Sequence, residues 1–74
     1  MAQRRVTPAE ASEWDLVALQ RAGKLYWRDP EPLPAWFFGD DYYRIVRLNK
    51  HRQDFTAETL ARWAEGGTLY IDAL

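Results

Sequence analysis

The chain has 74 residues, and its 47% hydrophobic and 28% charged residues are typical of one soluble globular domain rather than a disordered segment or a fibre. It has no cysteine, which excludes the disulfides and thiolate zinc sites that often stabilise small domains. Ten basic and eleven acidic residues give a net charge of −1, which favours neither a general nucleic-acid binder nor an acidic mimic of DNA. We predict a single domain over residues 1–74, with residues 1–6 flexible.

The N-terminal residues include two arginines, but no apolar segment of signal-peptide length follows them. No apolar run approaches the roughly 18 residues that a membrane-spanning helix needs. We therefore expect a cytoplasmic protein, complete from Met1, with no membrane partner.

The segment from Thr7 to Gly23 carries the signals of one helix. Thr7 is expected as the N-cap, Pro8 lies at the first helical position, and Glu10 can complete a capping box. Gly23 is expected to end the helix. These signals predict a helix over residues 8–22.

Three later segments have the β-branched and aromatic content of strands, namely 24–28, 42–49 and 68–73. Between the first two, the prolines of "DPEPLP" predict a stiff connector, and their Pro-x-Pro spacing does not match a Pro-x-x-Pro ligand. A second helix is predicted over 57–65, because Thr56 can cap its start and a pair of glycines follows it.

The predicted order is α-β-β-α-β, and the predicted fold class is α+β, with two helices packed on a three-stranded mixed sheet. The connection between the second and third strands is long enough for a right-handed crossover, so a parallel pair is expected there, with the first strand antiparallel. No internal repeat is visible. Because two short helices cannot cover both faces of this sheet, we also expect a homodimer.

The stretch from residue 27 to residue 48 contains six aromatic side chains. Leaving all of them exposed would forgo more hydrophobic free energy than the net stability of so small a domain, so most must belong to the core. Three consecutive aromatics at 36–38 cannot all point inward from an extended segment. We predict that Trp36 and Trp27 lie at the surface and anchor a partner.

Charge is segregated along the middle of the chain. The acidic block is Asp29, Glu31, Asp40 and Asp41, and the basic block is Arg44, Arg47, Lys50 and Arg52. The basic run 44–52 could contact nucleic acid or could pair with the acidic block across a hairpin, and both alternatives remain open. We predict that Arg44, Arg47 and Arg52 orient the partner.

The chain is poor in catalytic groups, with one histidine, one serine and no cysteine. His51 and Asp54 could form an orienting pair, but Ser12 is the only serine nucleophile and lies far away in the sequence. The spacing of a calcium loop is missing, and no phosphate-binding glycine loop precedes a helix. We expect a non-enzymatic protein without a cofactor or metal.

The pieces "VTPAEASEW", "AGKLYW", "GDDYYRIVR" and "ETLARWAEGG" occur in an order similar to that of small phage excisionases of the winged-helix type. The resemblance covers most of the chain through loose motifs, and it implies a nucleic-acid-binding accessory protein that would use the run 44–52. About fifteen residues separate Thr7 from Gly23, which we interpret as too few for the two helices of a helix-turn-helix.

Two functions are therefore expected. The first is a non-enzymatic protein-binding module, acting as a small regulator, inhibitor or assembly component through an aromatic patch flanked by charged segments. The alternative is the nucleic-acid-binding accessory protein. Truncation of an aromatic anchor should abolish partner binding in the first case, whereas affinity should fall steeply with salt in the second.

Overall fold

The computed structural model describes residues 3–33, 36 and 43–72, and within them four strands form one antiparallel sheet. The strands are β1 (Gln3–Arg5), β2 (Leu25–Arg28), β3 (Ile45–Arg47) and β4 (Leu69–Asp72), and the helices are α1 (Pro8–Glu13), α2 (Leu16–Arg21) and α3 (Ala57–Glu65). The predicted α+β class is confirmed. The sheet has four strands instead of three, and the described residues contain three helices instead of two.

The helix starts follow the predicted capping signals. The N–H of Glu10 donates to the hydroxyl of Thr7 at 3.2 Å, and the carboxylate of Glu10 accepts from the N–H of Thr7 at 3.1 Å. The capping box is therefore confirmed. Thr56 likewise accepts from the N–H of Thr59 at 3.1 Å and begins α3, whose bounds match the predicted helix 57–65.

The single helix predicted over 8–22 is wrong, because the chain leaves the helical conformation at Trp14, where ψ is 150°. The carboxylate of Asp15 then accepts from the N–H of Ala18 at 3.1 Å and starts α2. Asp15 is thus a second N-cap rather than one more acid near the start of a long helix. The interval does hold two six-residue helices, so the inference that it was too short is also wrong.

The predicted parallel pair of strands is wrong as well. β2 pairs antiparallel with β3 on one side and with β4 on the other. β3 and β4 therefore run in the same direction but are separated by β2. β1, in the segment predicted to be flexible, forms the outer strand beside β4. Its sequence, Gln-Arg-Arg, lacks the apolar alternation by which strands are recognised.

The sheet also reveals an internal repeat. Four residues of the α2–β2 segment recur 44 positions later in the α3–β4 segment, with Leu16, Gly23, Leu25 and Tyr26 corresponding to Leu60, Gly67, Leu69 and Tyr70. Both helices end at a glycine with positive φ, 74° at Gly23 and 77° at Gly67. The residue after each glycine donates its N–H to the carbonyl five residues earlier, at 3.1 and 2.9 Å, which is the Schellman ending of a helix.

The two repeats interlock through their outer strands. Residues 3–28 form the first half and residues 45–72 the second, and each half supplies the strand that flanks the other. β3 pairs with β2, and Leu48 donates to the carbonyl of Leu25 at 2.9 Å. β1 pairs with β4, and Val6 donates to the carbonyl of Leu69 at 2.9 Å. An approximate two-fold axis therefore passes through the centre of the sheet.

The helices cover one face of this sheet. Leu16 of α2 and Leu60 of α3 are buried in one core cluster with Leu25 and Leu69 of the central strands. Because side chains alternate along a strand, the tyrosines that follow these two leucines point to the other face, which none of the three described helices covers. We call it the open face. No helix in the described part of the chain is long and apolar enough to cross a membrane.

Candidate partner-binding surface

The two tryptophans predicted as anchors have different environments. Trp36 is 83% exposed. Trp27 lies in β2 on the helix-covered face, where it is half-buried and packs against the core cluster. The other two members of the consecutive aromatic triplet, Phe37 and Phe38, lie outside the described residues. Trp36 is thus the more accessible of the two predicted anchors.

Val46 extends the apolar surface of Trp27 to the edge of the sheet. The two residues lie directly opposite each other in β2 and β3, so their side chains share the helix-covered face. Val46 is nevertheless 45% exposed, because β3 is the last strand in the sheet order. Sequence reasoning treated residues 42–49 as a strand with mixed faces and did not select Val46. Only the position of β3 at the edge identifies it.

The outer edge of β3 has unpaired backbone groups. Two backbone hydrogen bonds join the β3 segment to the β2 segment. The N–H of Leu48 donates to the carbonyl of Leu25, and the N–H of Asp29 donates to the carbonyl of Arg44, both at 2.9 Å. In an antiparallel pair these bonds recur at alternate residues, so the N–H and C=O groups of Ile45 and Arg47 point away from β2. Among the described residues no further strand pairs with this edge.

Arg44 joins the acidic and basic blocks of the sequence at one end of β3. Its Nε donates to Oδ2 of Asp29 at 2.9 Å, and its Nη2 lies 3.4 Å from Oδ1. This ion pair therefore connects the acidic and basic blocks across the β2–β3 hairpin. Of the other predicted partners of the basic run, Asp40 and Asp41 lie outside the described residues, and Glu31 forms no ion pair with a described residue.

Arg47 and Arg52 are also held by neighbours. The guanidinium of Arg47 lies 4.7 Å from the ring of Tyr26 and donates to the carbonyl of Gly23, at the C-terminal end of α2. A cation at that end of a helix interacts favourably with the helix dipole. Arg52 donates to Oδ1 of Asp54 at 2.7 Å, and this hydrogen bond lowers the pKa of Asp54 and raises that of Arg52.

The loop that carries Arg52 is anchored to α2 by a buried glutamine. The Nε2 group of Gln20, which is 1% exposed, donates to the carbonyl of Asn49 at 2.7 Å and to that of Arg52 at 3.1 Å. The guanidinium of Arg52 also lies 4.6 Å from the ring of Phe55. Arg52 is therefore engaged within its own loop, whereas Arg44 and Arg47 lie at β3.

The open face carries a row of side chains that crosses all four strands. In the order of the strands, the row is Arg5, Tyr70, Tyr26 and Arg47, each opposite the next. Arg28, two residues beyond Tyr26, points to the same face. Of these residues, sequence reasoning selected only Arg47 for the partner surface, although the alternation within β2 and β4 places Tyr26 with Arg28 and Tyr70 with Asp72.

Arg28 contacts two aromatic rings. Its guanidinium lies 4.2 Å from the ring of Tyr43 and 5.0 Å from the ring of Tyr70. Its Nε is buried and has no hydrogen-bond partner. Among the described residues, no carboxylate lies within ion-pair distance of it.

Ser12 and His51, the residues considered as catalytic groups, both take part in local hydrogen bonds. The hydroxyl of Ser12 donates to the carbonyl of Ala9 within α1 at 2.7 Å. His51 lies exposed in a turn, where its N–H donates to Oδ1 of Asn49 at 2.9 Å. Within residues 3–33, 36 and 43–72, no group of three or more metal-ligating side chains is arranged around a common point.

Comparison of the chain with protein-family models, curated proteins and solved structures finds no match.

Proposed function

We propose that this protein is a non-enzymatic protein-binding module, a small regulator, inhibitor or assembly component, and that its partner contacts the edge strand β3. The observation that carries the proposal is the exposure of Val46, at 45%, beside Trp27 on the uncovered edge of the sheet. An exposed aliphatic side chain next to a half-buried tryptophan offers an apolar contact of the kind found at the centre of interfaces.

The backbone of β3 supports the same proposal. The outward N–H and C=O groups of Ile45 and Arg47 have no strand partner among the described residues, and an extended segment of another chain could pair with them, a common mode of peptide recognition. Such pairing would give affinity through the backbone, while Val46 and Trp27 would select the side chains of the partner. Trp36 acts as a second anchor in this proposal, because it is 83% exposed.

The predicted arginines act around this contact rather than at its centre. Arg44 and Arg47 lie at the two ends of the edge and orient the partner, and Arg52 contributes from the loop beyond. Because the ion pairs of Arg44 and Arg52 are exposed, they exchange readily with carboxylates of a partner at little net cost. Their main effect is expected on the rate of association.

The nucleic-acid alternative has less support. Two of the four cations in the run 44–52 already pair with Asp29 and Asp54. Neutralised arginines release fewer counterions from a phosphate backbone, so the electrostatic gain on binding nucleic acid is small. α2, in the position of a recognition helix, has Arg21 as its only basic residue.

The proposal is tested by capture from a nuclease-treated lysate of the native host, with immobilised wild-type protein and with Val46→Glu. We expect the wild type to retain a protein in fixed stoichiometry and Val46→Glu to lose it, with an unchanged melting temperature. Ala57→Glu adds the same charge at an exposed position of α3 and should retain the partner. Capture that disappears on nuclease treatment would favour the alternative, and retention by Val46→Glu would contradict the proposed contact.

A further inference from the structure

Arg28 is a partly buried cation that forms no ion pair with any described carboxylate. It is half-buried on the open face, with its guanidinium between the rings of Tyr43 and Tyr70 at 4.2 and 5.0 Å. A partly buried cation without a counter-ion loses hydration free energy, and stacking on aromatic rings compensates for only part of that loss. The buried Nε of Arg28, which lacks an acceptor, adds to this cost.

The nearest acidic residue in the sequence is not an ion-pair partner of Arg28. Asp29 follows Arg28 directly, but alternation along the strand directs its side chain to the other face, where it pairs with Arg44. Asp72 lies on the open face at the far end of β4, and by the internal repeat it occupies the position equivalent to Arg28. The two ends of the open face therefore differ in charge.

A second arginine reinforces the positive end. Arg5 lies opposite Tyr70 in the adjacent strand, and its guanidinium carbon is 3.4 Å from where a Cβ on Gly67 would lie. Gly67 lies two residues before the start of β4. Arg28 lies at the same end of β4, because its N–H donates to the carbonyl of Thr68 at 2.9 Å. Arg5 and Arg28 thus approach the start of β4 from its two sides.

The open face favours a carboxylate over a nucleic acid. Single-stranded nucleic acids need aromatic rings whose faces are free to stack on bases. Here the rings of Tyr43 and Tyr70 contact Arg28, while Tyr26 is only 7% exposed beneath Arg47. A guanidinium presents pairs of N–H donors that match the two oxygens of a carboxylate, so a carboxylate fits Arg28 better than a base does.

We propose that the partner of this module contacts the open face through an acidic extended segment, one carboxylate of which is bound by Arg28 with the help of Arg5. The inference rests on the proposed protein-binding function and names the chemistry of the partner. Because Arg28 lies opposite Ile45 of β3, the acidic segment would continue the contact made at the β3 edge.

The probe is a short synthetic peptide in which glutamate and threonine alternate, so that its carboxylates share one side of an extended chain. The matched peptide has glutamine in place of glutamate, and an oligothymidine of equal net charge represents nucleic acid. Binding is measured by titration calorimetry with the wild type, Arg28→Met and Arg62→Met. Methionine keeps the aliphatic packing between the two tyrosines, and Arg62 is an exposed arginine of α3 paired with Glu58.

We expect the wild type to bind the glutamate peptide and not the glutamine peptide. Arg28→Met should bind at least about tenfold more weakly, because a charge-assisted bidentate contact is lost. Arg62→Met should stay within about twofold of the wild type, as expected for a residue in an exposed ion pair. If Arg28→Met unfolds, the test uses the NMR resonance of the Arg28 Nε–H group in the wild type. This resonance should shift in a saturable way when the glutamate peptide is added, and should not shift with the glutamine peptide.

Three results would overturn the inference: no binding of the glutamate peptide, equal binding by Arg28→Met, or a preference for oligothymidine that depends on Arg28. The lysate experiment separates this failure from failure of the proposed function. If Val46→Glu loses the captured protein and Arg28→Met keeps it, the module binds a protein without a carboxylate at Arg28. If the wild type captures no protein, the proposed function itself fails.

Discussion

Tyr26 and Tyr70 lie directly opposite each other at the centre of the sheet, and each occupies the same position in its half of the chain. Each ring is contacted by an arginine, Tyr26 by Arg47 at 4.7 Å and Tyr70 by Arg28 at 5.0 Å. The two arginines are not equivalent in the repeat, since the counterpart of Arg28 is Asp72. The halves therefore share a backbone arrangement but offer different charges to a partner.

The two helix-ending glycines should be intolerant of side chains. Gly23→Ala and Gly67→Ala each place a Cβ at a φ above 70°, which should lower the free energy of unfolding by about 1 kcal/mol or more. Gly66→Ala is the matched control, because Gly66 has a φ of −77° and should tolerate alanine without loss. Urea denaturation measures all three, and equal effects at Gly66 and Gly67 would contradict the assigned ending of α3.

Gln20 should hold the loop after β3 against α2. Gln20→Ala removes both donors to the carbonyls of Asn49 and Arg52 and should cost about 1–3 kcal/mol of stability. Amide hydrogen exchange in residues 49–54 should accelerate in the same variant. Gln53→Ala, at an exposed position of that loop, should change stability by less than about 0.5 kcal/mol. If both variants behave alike, the anchoring role is wrong.

Stability in acid should depend on Glu10. Its carboxylate accepts from Arg4 at 2.8 and 2.7 Å, and these hydrogen bonds, followed by that from the backbone of Thr7, lower its pKa from 4.5 to about 2. A lowered pKa means that the ionised form stabilises the fold. This contribution is complete above pH 4.5 and is lost as the pH falls toward 2.

The melting temperature of the wild type should therefore fall more steeply through this pH window than that of Glu10→Gln. Arg4→Gln removes the partner of the same carboxylate and should flatten the curve in the same way, and the double variant should resemble either single variant. Circular dichroism across a pH series provides the measurement. Parallel curves for the wild type and Glu10→Gln would show that Glu10 is not the responsible group.

Trp27 and Trp36 should respond differently to truncation. Trp27→Ala removes contacts with the core and should destabilise the fold by roughly 2 kcal/mol, less than for a fully buried tryptophan. Trp36→Ala should leave the melting temperature unchanged, because the side chain is 83% exposed, and should weaken partner binding by about 2 kcal/mol. A sharp loss of stability in Trp36→Ala, or unchanged partner affinity, would remove it from the binding surface.

Self-association remains a prediction, and the open face gives it a physical basis. The described helices cover one face of the sheet, and partly buried side chains such as Ile45 and Tyr70 lie on the other face, where no described helix packs. We expect a homodimer in light scattering at submillimolar concentration. A monomer mass throughout the micromolar to submillimolar range would contradict this expectation.

Local signals predicted the parts of this fold that local interactions determine. The capping of α1 by Thr7 and Glu10, the ends at Gly23 and Gly67, and the bounds of α3 follow from contacts within a few residues. Asp15 was misinterpreted because an acid early in a helix and an N-cap look alike in sequence. β1 could not be predicted, since its only strand partner is β4, at the other end of the described chain.

The candidate site was only partly predicted, because some of its features depend on contacts between residues far apart in the sequence. Trp36 and the charge blocks can be recognised from composition, whereas the exposure of Val46 depends on β3 being an edge strand. Arg28 was passed over because nothing local distinguishes it from a paired arginine. That it forms no ion pair among the described residues depends on Asp29 lying on the other face, where Asp29 pairs with Arg44.

The exchange of outer strands between the halves also governs how the protein can fold during synthesis. Of the four described strands, β1 is synthesised first, but it pairs with β4, the last of them, so neither half can complete its own sheet. Before β4 has been synthesised, β2 can pair with β3, but its other edge has no partner strand. β1 cannot form its hydrogen bonds to β4 at that stage. A premature stop before β4 would therefore release a chain prone to aggregate, rather than a smaller folded unit.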